Sequence, residues 1–153
     1  MKTSPLLLRL ILAAMLSATP ALVLCSSAAH AASQEQDQEK VVYHINDSTV
    51  AMQAMRNVQN HINASPGVKI VVVTHGQGID FLLEDAKDKE GNLYQPMVAK
   101  LKDQGVDFRV CSNTLKSRNL TKDAVILEAT IVPSGVAEIG RLQAREGYVY
   151  LKP

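Results

Sequence analysis

The chain has 153 residues, a formal net charge of +1 and charged residues at 20% of the total, with no Trp and two cysteines. That length buries a core, and the near-neutral balance without long charge runs excludes a basic nucleic-acid footprint. Two cysteines, one of them near the N-terminus, exclude a disulfide scaffold.

The N-terminus carries Lys2 and Arg9, then an apolar run from Leu10 to Leu24, then small residues. This order is that of a signal peptide over residues 1–31, with Ala29-His30-Ala31 as the cleavage box. Pro20 and the Ser-rich flank argue against a membrane span, which needs about 20 unbroken apolar residues. A lipid anchor at Cys25 is the lesser alternative, because Leu24 stands where a small residue is wanted. Cleavage near Ala31 predicts a periplasmic protein of 122 residues with a net charge of −1. Cys111 is then its one thiol, which in an oxidising compartment is buried and inert, paired between chains, or reactive.

Residues 32–39 read as a polar, flexible lead, and the domain spans 40–153. Five strands are expected, at 41–45, 68–74, 106–110, 125–132 and 148–151. Between them Ala51, Met55, Val58 and Ile62 recur at helical spacing, as do Ile79, Leu82, Leu83 and Ala86. Met97, Val98 and Leu101 mark a further helix, and Val136, Ile139 and Leu142 the last. Strands alternating with helices predict an α/β fold, three-layer α/β/α with a five-stranded, mostly parallel sheet. The third strand fits least well, since its in/out alternation suits a half-exposed strand.

In such a sheet the carboxyl ends of the strands share one edge, where ligands bind. These ends are polar and rich in glycine: Asn46-Asp47-Ser48, His75-Gly76-Gln77-Gly78, Cys111-Ser112-Asn113 and Pro133-Ser134-Gly135. Cys111 precedes a helix start capped by Ser112 or Asn113, which favours a thiolate; the alternative is a buried cysteine acting as a small hydrophobe. His75 with Gly76 and Gly78 reads either as an anion site lined by backbone N–H groups or as a turn needing two glycines. No nucleotide cofactor is expected, since Phe81 stands where a dinucleotide fingerprint needs its third glycine. His44 reads as a satisfied core histidine, and Asp47 and Ser134 read first as helix caps. No metal site is expected, because His44, His75 and Cys111 sit on separate strands without a short-spaced pair.

Through VVYHIND, VVVTHGQGIDFLL, GVDFRVCSNTL and VPSGVAEIGRLQAREGYVYLKP, the chain from about Lys40 to Pro153 resembles the DsrE/DsrF-like sulfur-relay family. The resemblance implies a five-stranded parallel sheet in an α/β/α domain and homo-oligomers, often trimers or hexamers. It also implies a persulfide relay for members with a cysteine after the third strand, a position held here by Cys111. The well-understood relay proteins act in the cytoplasm, whereas this chain reads as exported.

The leading expectation is a sulfur carrier or sulfurtransferase with Cys111 and His75 as catalytic residues. Asn46, Asp47, Gly76, Gly78, Asn113, Ser134 and Gly135 form the binding rim, with a donor and an acceptor thiol protein as partners. A non-catalytic oligomeric module binding a small anion or a metal in the crevice is the alternative, and an assembly protein with a vestigial crevice a third.

Overall fold

The computed structural model describes residues 38–153. The expected signal peptide, the Cys25 anchor and most of the polar lead lie outside the described residues. Five strands, β1 (Lys40–Ile45), β2 (Lys69–Thr74), β3 (Asp107–Cys111), β4 (Ala129–Val132) and β5 (Val149–Leu151), form one sheet in the order β4-β3-β2-β1-β5. All four pairings are parallel, so the expected mostly parallel sheet is wholly parallel. Among the described residues no helix is long and apolar enough to cross a membrane.

Four helices cover the sheet: α1 (Ala51–Ala64), α2 (Gln95–Asp103), α3 (Ser112–Ser117) and α4 (Gly135–Glu146). Strand alternation sends Val41, Tyr43, Ile45, Ile70, Val72, Phe108 and Val110 to one face, where they pack with Ala54, Met55 and Val58 of α1 and Val98 and Leu101 of α2. Val42, Val71 and Val73 point the other way and meet Ile139 and Leu142 of α4. The two faces are unequal, with 20 buried residues in the first cluster and five in the second. At about 1.5–3 kcal/mol for each fully buried large apolar side chain, the first face carries most of the stability. The α4 face is thereby free to hold polar groups.

Those polar groups explain the third strand. β3 lies inside the sheet, yet Asp107 and Arg109 alternate with buried Phe108 and Val110. The Arg109 guanidinium pairs with Asp107 at 2.6 Å and with Glu138 of α4. A half-exposed pattern on an interior strand thus reflects an ion-paired face.

Two expected elements are shorter. Only 129–132 of the expected 125–132 joins the sheet; Val125 and Ile126 are buried but pair antiparallel with the end of a 3-10 helix, Ile126 N–H donating to Leu82 C=O at 3.1 Å. That 3-10 helix, Gly76–Leu82, replaces the α-helix expected over Ile79–Ala86. Three residues per turn eclipse Ile79 with Leu82, and both are buried with Phe81. The chain leaves the turn after Leu83, and Asp85 takes a left-handed φ of 57°. Val136, expected in the core stripe of α4, is 65% exposed; Gly135 takes the packed position beside it.

Gly78 fixes the 3-10 helix to the end of β1. A Cβ there would lie 2.1 Å from the Ile45 carbonyl oxygen and 2.7 Å from Asn46 Cα, both backbone atoms. Gly78→Ala is therefore expected to destabilise by about 1–3 kcal/mol or more, by overpacking. Gly140→Ala, whose Cβ meets nothing within 4 Å on α4, is expected to be neutral or stabilising by up to about 1 kcal/mol. Urea midpoints of the two variants against the parent check the pair.

Candidate active site at the strand ends

The sheet order places one chemically capable side chain on each of four neighbouring strands, all on the α4 face. Cys111 ends β3, His75 follows β2, His44 lies in β1 opposite Val73, and Tyr150 lies in β5 opposite Val42. Parity puts them together: His44 alternates with Tyr43 and Ile45, and Cys111 with Val110, which face the other core.

Cys111 is 5% exposed and serves as N-cap of α3 without a side-chain cap bond, so Ser112 is the first helical residue and Asn113 the second. Burial pushes its thiol pKa up. The Gly135 backbone N–H, the Thr114 hydroxyl and the Thr114 and Asn113 backbone N–H groups act against burial, and the net shift is downward. Each of these donors favours a thiolate. Thr114 Oγ1 accepts the Gly76 N–H at 3.0 Å, which leaves its own hydroxyl proton available to a second partner such as the thiol.

Gly135 brings the two halves of this cage together. A Cβ on it would lie 3.1 Å from Thr74 C=O, 3.2 Å from His75 Cβ and 3.3 Å from Cys111 Cβ. The first turn of α4 therefore rests on the ends of β2 and β3, and its N–H reaches the thiol. Ser134 caps that turn, accepting from Ala137 N–H at 3.4 Å.

His75 and His44 are half-buried and face each other, with Nε2 to Nε2 at 2.7 Å and ring centroids 4.6 Å apart. His44 Nδ1 meets the Tyr150 hydroxyl, also at 2.7 Å. Burial lowers both histidine pKa values; the neighbouring His75 and then Lys152 lower His44 further, and Lys152 lowers His75. His44 is thus satisfied at both ring nitrogens, as expected, but half-buried beside His75 and Tyr150 rather than in the core. Its parity with Val42 was visible in the sequence, but Tyr150 was not, because strand order alone brings β5 beside β1.

The remaining expected residues divide. Asn113 and Ser134 line a shallow cleft of about 430 Å³ with Ser112, Lys116, Lys122 and Pro133. Neither lysine enters an ion pair among the described residues. The Gly76 and Gly78 N–H groups, which one of the two readings placed in an anion site, are bonded to Thr114 Oγ1 and His75 C=O at 3.0 Å each; Gly76 supplies the turn's left-handed φ of 58° and Gly78 its close packing on β1. Asp47 accepts the Thr49 N–H at 2.8 Å, which lowers its pKa and gives it a capping role. Asn46 is exposed beside Gly76 and Gly78, with no side-chain hydrogen bond among the described residues. No group of three potential metal ligands occurs among the described residues.

Thr114→Val removes one donor from the thiol and is expected to slow alkylation of Cys111 near neutral pH by about tenfold, the factor for a hydrogen bond to a charged group of about 1.5 kcal/mol. Its reaction onset should move to higher pH; an unchanged profile would show that the hydroxyl does not act on sulfur. The histidine pair sets a second dependence. Folded pKa values below the unfolded value of about 6.5 mean that the unfolded chain binds more protons in that window, so stability is lost as pH falls through it. The melting temperature of the parent is expected to fall more steeply below about pH 6.5 than that of His44→Gln, as thermal scans across pH would record.

A model of the DsrE/DsrF-like family matches residues 8–153. The solved structure of MTH1491 from Methanobacterium thermoautotrophicum, described as a protein of unknown function, is 32% identical with a TM-score of 0.69, covering 76% of this chain and all of that one. The E. coli ychN protein shares the fold at 16% identity and a TM-score of 0.64, with the same coverage. No curated protein matches the chain in sequence. The match over nearly the whole length and the shared parallel sheet place this chain in the DsrE/DsrF-like family.

Proposed function

We propose that the protein is an exported sulfur carrier that relays sulfane sulfur as a Cys111 persulfide. The observation that carries the reading is the place of Cys111, nearly buried at the carboxyl end of β3, directly before α3 and against the first turn of α4 at Gly135, where the surrounding donors shift its pKa downward. Thiolate fraction and access govern sulfur exchange. Loading balances as Cys111–S⁻ attacking the terminal sulfur of R–S–SH to give Cys111–S–SH and R–S⁻. Unloading is the reverse step with an acceptor thiolate, and Cys111 leaves as the thiolate its cage stabilises.

The cleft beside Ser112 supports an anionic donor or acceptor group, since Lys116 and Lys122 line it together with the apolar Ile131 and Pro133. Export to the periplasm rests on the signal-like residues 1–31. A homo-oligomer, trimer or hexamer, is supported by apolar side chains left open to solvent: Leu127 at 95% exposure, Val136 at 65% and Val149 at 61%. The same cleft favours the second reading, a module that binds a small anion while Cys111 stays structural.

Intact-mass spectrometry after incubation with a small sulfane-sulfur donor separates the two. The carrier gains about 32 Da on Cys111, removed by reductant and absent in Cys111→Ser. Equal anion binding by both proteins without any mass gain would favour the binding module.

A further inference from the structure

Tyr150, His44 and His75 form a hydrogen-bonded row that the donor cage does not use. The row crosses β5, β1 and the end of β2 and stops beside Cys111, whose Cβ and that of His75 both lie within 3.3 Å of the point where a Gly135 side chain would begin. We infer that this row is a neutral proton wire connecting the sulfur site with solvent at β5, an inference that rests on Cys111 being a sulfur carrier.

The geometry fixes the proton count. Two Nε2 atoms at 2.7 Å share one proton: two lone pairs there repel, and two N–H groups clash. A neutral pair holds two ring protons, so the second occupies an outer nitrogen, His44 Nδ1 or His75 Nδ1. In one arrangement His44 Nδ1–H donates to Tyr150 Oη, the shared proton belongs to His75, and His75 Nδ1 is a bare base. In the other, Tyr150 O–H donates to His44 Nδ1, the shared proton belongs to His44, and His75 Nδ1–H is an acid.

Passing from the first arrangement to the second moves one proton. An acceptor thiol R–SH entering the crevice gives its proton to His75 Nδ1 and becomes the thiolate that attacks the Cys111 persulfide. The shared proton shifts from His75 to His44, the His44 Nδ1 proton moves to Tyr150 Oη, and the tyrosine's own proton leaves to water. Both rings are neutral before and after. No buried side-chain polar atom among the described residues lacks a partner, and His75 Nδ1 has no hydrogen bond to them, so that nitrogen is open to solvent. Tyr150 at 37% exposure gives the other end its solvent.

The charged groups facing the pair agree with neutral rings. Burial and the positive charge of Lys152 both oppose a charged imidazolium on either ring. A two-histidine metal chelate fits less well: tetrahedral ligands at about 2.0–2.1 Å from zinc stand about 3.3 Å apart, and these stand at 2.7 Å.

Long-range proton–nitrogen NMR of the histidine rings in the folded full chain tests the wire without any sulfur chemistry. Tyr150→Phe, a mild change, is expected to shift the ring nitrogens of His75, which Tyr150 does not hydrogen-bond; unchanged His75 signals would overturn the inference. On protein that loads sulfur, Tyr150→Phe and His44→Gln are each expected to slow transfer to an acceptor thiol on the order of tenfold, with Cys111 alkylation by a proton-free reagent unchanged. Loading with normal transfer rates in both variants also overturns the wire and leaves the carrier intact. Absence of loading overturns the carrier, and the NMR result then decides the wire alone.

Discussion

The close approach of Gly135 to the ends of β2 and β3 is the constraint on which the site depends. With Thr74 C=O, His75 Cβ and Cys111 Cβ at 3.1–3.3 Å from where its side chain would start, any larger residue makes one of these neighbours give way for α4 to begin there. A larger residue would press the helix away from the sheet and its N–H away from sulfur, while the pairing of β2 with β3 keeps His75 beside Cys111. Gly78 acts similarly one strand over, seating the 3-10 helix on β1 so that Gly76 can hold Thr114.

Inequality between the two faces gives this close approach its chemical value. The face under α1 and α2 buries the large apolar residues and supplies most of the folding energy. The α4 face, with five buried residues, tolerates Arg109, Asp107 and Glu138 as an ion-paired network and a row of two histidines and a tyrosine. Buried polar groups of this kind are costly unless bonded, and none in the described residues is left without a partner. Chemistry and stability are thus carried on opposite sides of one sheet.

The strands and their order of appearance were legible because apolar runs bounded by Gly, Pro and Asn leave a strong periodic signal, and the strand ends pointed to Cys111 and His75. The lengths of the fourth strand and of the segment after Gly78 were not, because Val125 and Ile126 are as apolar as a strand but are held by Leu82 and Leu83. Gly76 and Gly78 had the composition of an anion loop, and only their hydrogen-bond partners show that their N–H groups are held within the turn. The pairing of His44 with Tyr150 was missed for a topological reason: residues 106 positions apart meet only because β5 returns to pair with β1. Lys116 and Lys122 carry no pattern, and the cleft that joins them exists only once α3 and β4 are placed.

A sulfur carrier of this design needs Cys111 to be a thiolate near neutral pH despite its burial. Ultraviolet titration of the thiolate in the folded protein, taken as the difference between the parent and Cys111→Ser, tests this directly. The donors around Cys111 predict a midpoint below that of an ordinary thiol measured in the unfolded protein. A midpoint at or above that value would mean that burial outweighs the four donors, and would contradict Cys111 as the nucleophile.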